Sequence, residues 1–296
     1  MKLIIYISIF LSYFPFSIVS AQTDSLRYRI SQVIHTTKAD IGVAIYGMES
    51  LDTLSINNNK HYPLQSVFKF HIALAMLDQV DKRKFSLKQK IHISKSDLLP
   101  DTWSPMREKY PNGNVDLPLA EIIRFTVGES DNNGCDILLK LLGGTKSVND
   151  YIHRLGINEV AIQANEKEMH AQWDVQFTNW TQPTAAVQLL KIFYDGKILS
   201  RSNKNFLWKS MTETPTGKNR IKGALPPGTL VAHKTGTSDT NKQGITAAVN
   251  DIGIVTLPNG KHFAISVFVS NSSENMATNE KAIADISRLA WDFFIR

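Results

Sequence analysis

The chain has 296 residues, of which 43% are hydrophobic and 20% charged, and its formal net charge is +6. A chain of this size and composition can bury a large core, which excludes an intrinsically disordered protein. Its basic residues are mixed with acidic ones, without the sustained basic stripe and interleaved aromatic residues of a nucleic-acid-binding surface. We therefore expect no nucleic-acid partner.

The first 21 residues have the layout of a secretory signal peptide. Lys2 is followed by an almost uncharged apolar stretch over residues 3–19, and the small residues Ser20 and Ala21 precede the polar Gln22. An uncleaved membrane anchor is the alternative, but a proline within so short a stretch is unfavourable for spanning a bilayer. We predict a signal peptide over residues 1–21, export to the periplasm and no membrane association after cleavage.

Cys135 is the only cysteine, so no intramolecular disulfide can form. The exported chain must then be stabilised by its core. We expect Cys135 to be a buried small hydrophobic residue rather than a reactive thiol, and His71 and His233 to be packing residues.

Helical and strand patterns occur in separate blocks along the mature chain. The strand patterns cover residues 41–46, 52–56, 229–237, 244–257 and 261–269. The helical patterns cover residues 25–38, 66–80, 117–127, 135–142, 183–193 and 280–294.

Strands near both ends with helices between them predict an α+β fold. We expect an antiparallel sheet of about five strands flanked by helices, with an all-α lobe inserted into it. The sheet lobe would comprise residues 22–60 and 213–296, and the helical lobe residues 61–212. A cleft between two such lobes is a preferred place for a binding site.

A nucleophile is predicted at the start of an unusually apolar helix. Lys69 and His71 alone interrupt the apolar run from Val67 to Leu77, so the helix should be buried on most sides. Lys69 lies three residues after Ser66, which places both side chains on one face within hydrogen-bonding range. A buried lysine can take the serine proton and activate the hydroxyl. A capping serine beside a lysine that reaches the solvent is the alternative.

A second hydroxyl is predicted at Ser130, in the sequence Ser130-Asp131-Asn132. Ser130 could pass a proton to a leaving nitrogen, Asn132 could offer its amide to the substrate, and Asp131 would brace the turn. A simple turn is the alternative, since these residue types are common in turns.

A third motif ends the strand that begins at residue 229. Lys234 and Thr235 can place a cation and a hydroxyl beside an extended ligand, and Gly236 lets that ligand approach the backbone. The Thr237 N–H would pair with the Ser66 N–H in an oxyanion hole. A polar strand end without function is the alternative.

The order SxxK, SDN and KTG, with about 60 and about 100 residues between the motifs, resembles the class A serine β-lactamases. The resemblance runs from about Ser25 to the C-terminus. It implies the penicillin-recognising serine hydrolase fold and β-lactam substrates. It also implies that Ser66, Lys69 and Ser130 are catalytic and that Asn132, Lys234, Thr235, Gly236 and Thr237 bind the substrate.

The resemblance further implies that Glu166, in the omega loop of this family, activates the water that releases the acyl-enzyme. The chain departs from the usual pattern at His170 and Asp136, where the family commonly has asparagine, and both departures resemble the extended-spectrum branch of the PER and VEB enzymes. A solvated acidic loop is one alternative for Glu166. A metal pair of Glu166 with His170 is another, although no third ligand accompanies it.

Two further binding residues follow from the resemblance. Trp103 resembles the aromatic residue that walls the cleft, with a core tryptophan as the alternative. Arg220 resembles the guanidinium that helps bind the substrate carboxylate, with a surface arginine as the alternative. His170 is also expected to line the substrate site.

The sequence thus predicts a monomeric, cofactor-free and metal-free serine β-lactamase acting on small-molecule β-lactams, including oxyimino-cephalosporins. A peptidoglycan D,D-peptidase or transpeptidase is the main alternative, since it would also acylate Ser66. A β-lactam sensor and a plain esterase are two others. Glu166 favours the hydrolase over the peptidase.

Overall fold

The computed structural model describes residues 16–296, with side chains from residue 22 onward. The first helix, α1, runs over Phe16–His35, earlier than the pattern at 25–38 predicted. The predicted signal peptide lies outside the described residues, apart from the backbone of 16–21 at the start of α1. Within the described part of the chain, none of the helices is long and apolar enough to cross a membrane.

Ten strands and nine further helices follow α1. The strands are β1 (Asp40–Gly47), β2 (Thr53–Ile56), β3 (Tyr62–Pro63), β4 (Lys90–Ile93), β5 (Val115–Pro118), β6 (Val160–Ala161), β7 (Trp180–Thr181), β8 (Val231–Thr237), β9 (Thr246–Thr256) and β10 (His262–Ser272). The helices are α2 (Phe68–Asp81), α3 (Pro105–Lys109), α4 (Leu119–Gly128), α5 (Asn132–Leu142), α6 (Thr145–Arg154), α7 (Glu166–Ala171), α8 (Pro183–Asp195), α9 (Arg201–Thr212) and α10 (Met276–Phe294).

Five strands form one antiparallel sheet in the order β2-β1-β10-β9-β8. Both faces are covered, because α1 and α10 pack on one and α8 with the helical region on the other. Ile41, Val43 and Ile45 join the first layer, whereas Ala44 and Phe268 join the second. Because both faces are covered, every residue of β9 except the last is buried, and Asn250 and Asp251 interrupt two apolar stretches of that strand. The predicted α+β fold with a five-stranded sheet is confirmed.

Helix α2 lies at the centre of the helical region. Its first ten residues are buried, and α4, α5, α6 and α9 surround it. Cys135 is fully buried in α5, where burial raises the pKa of its thiol well above the ordinary value. The larger hydrophobic core joins these helices to the sheet without a break, and the lobe boundaries at 60/61 and 212/213 stay a prediction.

Two small sheets were not predicted from the sequence. One has the order β3-β7-β6 and the other pairs β4 with β5. Their strands have only two to four residues, too few for a two-residue periodicity to emerge. The first of them places the segment before Ser66 beside the segment after Glu166.

Candidate active site

Ser66 lies in a tight 3-10 turn over Gln65–Val67, directly before α2. Gln65 adopts a left-handed conformation with φ of 45°, which is uncommon for a residue with a side chain. Asn250 of β9 donates to the carbonyl of Pro63 at 2.7 Å, and Gln65 Nε2 donates to Gln176 Oε1 at 2.6 Å. The sheet and the segment after α7 therefore fix this turn from two sides.

Lys69 is fully buried, and its amine joins the other polar groups of the site. Its Nζ lies 2.9 Å from Ser66 Oγ, 2.7 Å from the Ser130 carbonyl and 2.8 Å from Glu166 Oε1, and it also contacts Asn132 Oδ1. Four oxygens thus surround a group that has at most three protons to donate. Within this cluster, a proton can pass from the hydroxyl to the carboxylate through one amine.

Ser130 follows α4 and has a left-handed backbone with φ of 61°. Asp131, fully buried, holds it there: its carboxylate accepts from Gly134 N at 2.7 Å, Ser104 Oγ at 2.8 Å and Met106 N at 2.7 Å. Burial raises the pKa of Asp131, against the lowering effect of these hydrogen bonds. The carboxylate braces the turn that presents the Ser130 hydroxyl.

Lys234 approaches Ser130 from the sheet side. Its Nζ donates to Ser130 Oγ at 2.9 Å and to the Thr235 carbonyl at 2.9 Å, and its side chain is almost fully buried. Burial lowers its pKa well below the ordinary value, and the neighbouring charge of Lys69 lowers it further. Two buried amines therefore contact Ser130, Lys234 at its hydroxyl and Lys69 at its backbone carbonyl.

Glu166 is the first residue of α7, which Asn165 caps through a reciprocal pair of hydrogen bonds with Glu168. Asp136 of α5 accepts from Glu166 N at 2.8 Å with one oxygen and from Lys167 N at 3.1 Å with the other. Burial, with a contribution from the charge of Glu166, raises the pKa of Asp136 to about 6. A carboxylate at this position can serve two consecutive N–H groups, which accounts for the departure from asparagine.

Asn179 anchors the segment on the other side of Glu166, and sequence analysis missed it. Its Oδ1 accepts from Gln163 N at 2.7 Å and Ala164 N at 2.9 Å, and its Nδ2 donates to the Ala164 carbonyl at 2.7 Å. The side chain is fully buried. No local pattern distinguishes this asparagine from one in an ordinary loop, because its partners lie about 15 residues away.

Gly236 has a structural reason different from the predicted one. A Cβ at this position would lie 2.6 Å from the Leu64 carbonyl oxygen and 3.1 Å from Gln65 Cβ. Glycine is required because β8 packs directly against the turn that carries Ser66. The predicted close approach of a ligand to this residue stays a prediction.

Arg220 is buried beside β8, not at the surface. Its guanidinium donates to Thr237 Oγ1 at 2.7 Å, to the Gly236 carbonyl at 3.0 Å and to the Asn250 carbonyl at 2.9 Å, and its Nε pairs with Glu280 at 3.1 Å. These contacts fix the guanidinium, and its hydrogen bond to Thr237 holds that side chain at the end of β8.

These groups surround a cleft of about 550 Å³. Ten of the predicted residues line it: Ser66, Trp103, Ser130, Asn132, Glu166, His170, Arg220, Thr235, Gly236 and Thr237. The other two, Lys69 and Lys234, lie beneath it. Trp103 is 59% exposed and donates its Nε1 to the Glu129 carbonyl at 2.9 Å, so it is a wall residue and not a core residue.

Several lining residues were absent from the prediction, among them Thr102, Trp173, Gln176 and Thr216. Thr102 Oγ1 accepts from Asn132 Nδ2 at 2.7 Å, and Thr216 Oγ1 lies 3.1 Å from Thr235 Oγ1. Among the residues that the structure describes, no group of three His, Cys, Asp or Glu side chains could hold a metal ion.

Comparison with known proteins agrees with this arrangement. The model of the β-lactamase enzyme family matches residues 25–294. The chain belongs to the β-lactamase enzyme family. It is 50% identical to β-lactamase VEB-1 of Pseudomonas aeruginosa, over 93% of this chain and 92% of that protein. It is 42% identical to the extended-spectrum β-lactamase PER-1 of the same organism, over 94% and 90%.

Solved structures lead to the same group. The crystal structure of TLA-3 extended-spectrum β-lactamase superimposes with a TM-score of 0.92 at 55% identity, covering 93% of this chain and 100% of that one. A class A β-lactamase from Bacteroides cellulosilyticus superimposes with a TM-score of 0.89 at 40% identity, covering 92% and 98%. The predicted resemblance to class A enzymes of the extended-spectrum branch is confirmed.

Proposed function

We propose that this β-lactamase opens the β-lactam ring through an ester on Ser66 and then hydrolyses that ester with Glu166 as general base. The observation that carries the proposal is the pair of distances at Lys69 Nζ, 2.9 Å to Ser66 Oγ and 2.8 Å to Glu166 Oε1. They connect a hydroxyl, a buried amine and a carboxylate within one cluster. Both half-reactions need such a connection.

In acylation, Ser66 Oγ attacks the ring carbonyl carbon and loses its proton to Lys69, or to Glu166 through a water. The carbonyl–nitrogen bond breaks, Ser130 Oγ–H protonates the departing nitrogen, and the proton taken from Ser66 passes to Ser130 Oγ, which restores that hydroxyl and frees the base for the second half-reaction. Lys234, 2.9 Å from Ser130 Oγ, stabilises the charge that develops there. The backbone N–H groups of Ser66 and Thr237 would hold the carbonyl oxygen.

In deacylation, Glu166 takes a proton from a water whose oxygen attacks the ester carbonyl. The bond to Ser66 Oγ breaks, and the proton returns to that oxygen. Asp136, which accepts from the backbone of Glu166 and Lys167, keeps the base in place. The sequence of steps needs no cofactor.

The substrate carboxylate, next to the ring nitrogen in penicillins and cephalosporins, would be bound by Lys234, Thr235 and Thr237 with help from Arg220. Asn132 would offer its amide to the acyl side chain, between the cleft walls formed by Trp103 and His170. The similarity to PER-1, named an extended-spectrum enzyme, supports oxyimino-cephalosporins as substrates. Turnover of benzylpenicillin without any turnover of cefotaxime or ceftazidime would contradict the assignment of oxyimino-cephalosporins as substrates.

A pair of glutamates in α7 gives a matched test. Glu166→Gln should retain acylation through Lys69 but lower deacylation by about 100- to 10,000-fold, so that an adduct on Ser66 accumulates and is seen by intact mass. Glu168→Gln should turn over normally, because glutamine can keep the capping hydrogen bond of Glu168. Unchanged turnover in Glu166→Gln would refute the assignment.

The wild-type chain also separates the hydrolase from its main alternative. Sustained hydrolysis of a chromogenic cephalosporin is expected, and a burst without turnover would indicate a D,D-peptidase.

We further propose export to the periplasm with removal of residues 1–21 and a monomeric mature enzyme. N-terminal sequencing should begin near Gln22, and light scattering should give the mass of one chain.

A further inference from the structure

A buried histidine–carboxylate pair lies behind the KTG strand and has no part in the mechanism above. His233 Nδ1 on β8 lies 3.0 Å from both carboxylate oxygens of Asp251 on β9, and both residues are fully buried. His233 Nε2 has no hydrogen-bond partner within the described part of the chain. The imidazole thus has a single polar contact, and its effect is to orient the Asp251 carboxylate.

The same carboxylate anchors the segment that carries Arg220. Asp251 Oδ2 accepts from Ile221 N at 3.2 Å, one residue after the arginine. Gly217, whose carbonyl accepts from Arg220 N at 3.0 Å, packs against the pair so closely that a Cβ there would lie 3.1 Å from His233 Cε1. The 217–221 segment therefore packs against the His233–Asp251 pair and is hydrogen-bonded to it.

Charge gives Asp251 a second effect. Three buried cations lie around the cleft, and two of them have carboxylate partners: Lys69 with Glu166 and Arg220 with Glu280. Among the described residues, Lys234 donates to neutral oxygens alone, those of Ser130 and Thr235. The charge of Asp251 acts on Lys234 and raises its pKa, as does that of Glu166, against the lowering effects of burial, Lys69 and Arg220.

We propose that Asp251, oriented by His233, is a positioning residue for recognition of the substrate carboxylate. It holds the Arg220 segment against β8 and supplies negative charge behind Lys234, without touching the substrate itself. This inference rests on the proposed function and deepens it, because it assigns a cause to the geometry and charge of the carboxylate subsite.

A cephalosporin and its C4 methyl ester test the proposal, because only the free acid uses that subsite. In Asp251→Asn, kcat/KM for the acid should fall about tenfold near neutral pH, the effect expected for one lost charge-assisted contact, whereas the ester should change by less than about twofold. The alkaline limb of kcat/KM should also move to lower pH for both compounds, since removing the carboxylate lowers the pKa of Lys234, which also stabilises charge at Ser130; the acid-to-ester comparison is therefore made near neutral pH. Equal losses for acid and ester, or no loss for either, would overturn the proposal.

Variants of the histidine keep the test decisive if Asp251→Asn does not fold. His233→Asn retains an N–H donor where Nδ1 now lies and should keep the ratio of acid to ester rates, whereas His233→Leu should lower it. Identical ratios in these two variants would also overturn the proposal. Asp285→Asn, which removes a partly exposed carboxylate paired with Lys281 on α10, is the matched control and should leave both rates unchanged. If the wild-type enzyme hydrolysed neither compound, the proposed function itself would be wrong.

Discussion

Asp136 offers a prediction in which stability and pH are linked. Its carboxylate is the acceptor for the first two N–H groups of α7, and burial raises its pKa from the ordinary 3.8 to about 6. An asparagine side chain has nearly the same shape without the charge and, like the protonated carboxyl at low pH, has one carbonyl oxygen to accept in place of two, so the change in its effect with pH reports the cost of ionising Asp136 inside the protein.

The magnitude follows from linkage between proton binding and folding. A carboxyl whose folded pKa exceeds its unfolded value stabilises the fold below the unfolded pKa, and that stability is lost as the pH rises through the folded pKa. A pKa of about 6 in place of 3.8 corresponds to about 3 kcal/mol. Wild type and Asp136→Asn should therefore be similarly stable near pH 4, and the variant should be more stable by up to about 3 kcal/mol above about pH 7.

Urea unfolding of both proteins across this pH range, followed by circular dichroism, measures the difference directly. Asp285→Asn serves as the control, because its carboxylate is partly exposed in a surface ion pair and its removal should change stability by less than about 1 kcal/mol at every pH. A difference between wild type and Asp136→Asn that stays constant with pH would refute the reasoning. It would mean that Asp136 ionises as readily in the folded chain as in the unfolded one.

Three further substitutions have expected outcomes. Gly236→Ala should lower the free energy of unfolding, measured by thermal unfolding, by about 1–3 kcal/mol and slow acylation, because its Cβ would lie 2.6 Å from the Leu64 carbonyl oxygen. Gly128→Ala, whose Cβ would have its nearest contact at 3.4 Å, should lower it little. Equal effects of the two substitutions would contradict this reasoning. Asn179→Ala should lower the free energy of unfolding by about 1–3 kcal/mol and slow deacylation in pre-steady-state kinetics, since it leaves the N–H groups of Gln163 and of buried Ala164 without their acceptor. Lys69→Met should slow acylation by at least about 100-fold in stopped-flow measurements, and an unchanged rate would remove the amine from the mechanism.

The fold class could be predicted from the sequence because the residue patterns that determine helices and strands are local. Apolar residues at strand spacing near both termini and at helical spacing between them predicted the five-stranded sheet, and each predicted strand of the large sheet overlaps an observed one. The run from Val67 to Leu77 predicted a buried helix, and α2 is buried along its first ten residues. Buried positions are mostly occupied by apolar residues, so the buried face of a helix or strand can be predicted from a single sequence.

The candidate site was found through motifs whose spacing is also local. Lys69 lies one helical turn after Ser66, and Lys234, Thr235, Gly236 and Thr237 are consecutive, so their mutual positions follow from helix and strand geometry. The sequence also identified Glu166, Arg220 and Trp103, but only through the family resemblance. Nothing in their own surroundings distinguished them from surface residues.

Tertiary structure alone decided the contacts between distant segments. It determined that Asn179 holds the segment of Gln163 and Ala164, that Asp136 serves the first turn of α7, and that the His233–Asp251 pair supports the Arg220 segment. The sequence determined which residues are apolar, charged or able to turn, because these are properties of each residue and its near neighbours. Which buried polar groups are hydrogen-bonded to each other depends on packing between elements that are distant in sequence, such as Lys234 and Ser130, which are 104 residues apart. No local periodicity in the sequence indicates these pairs.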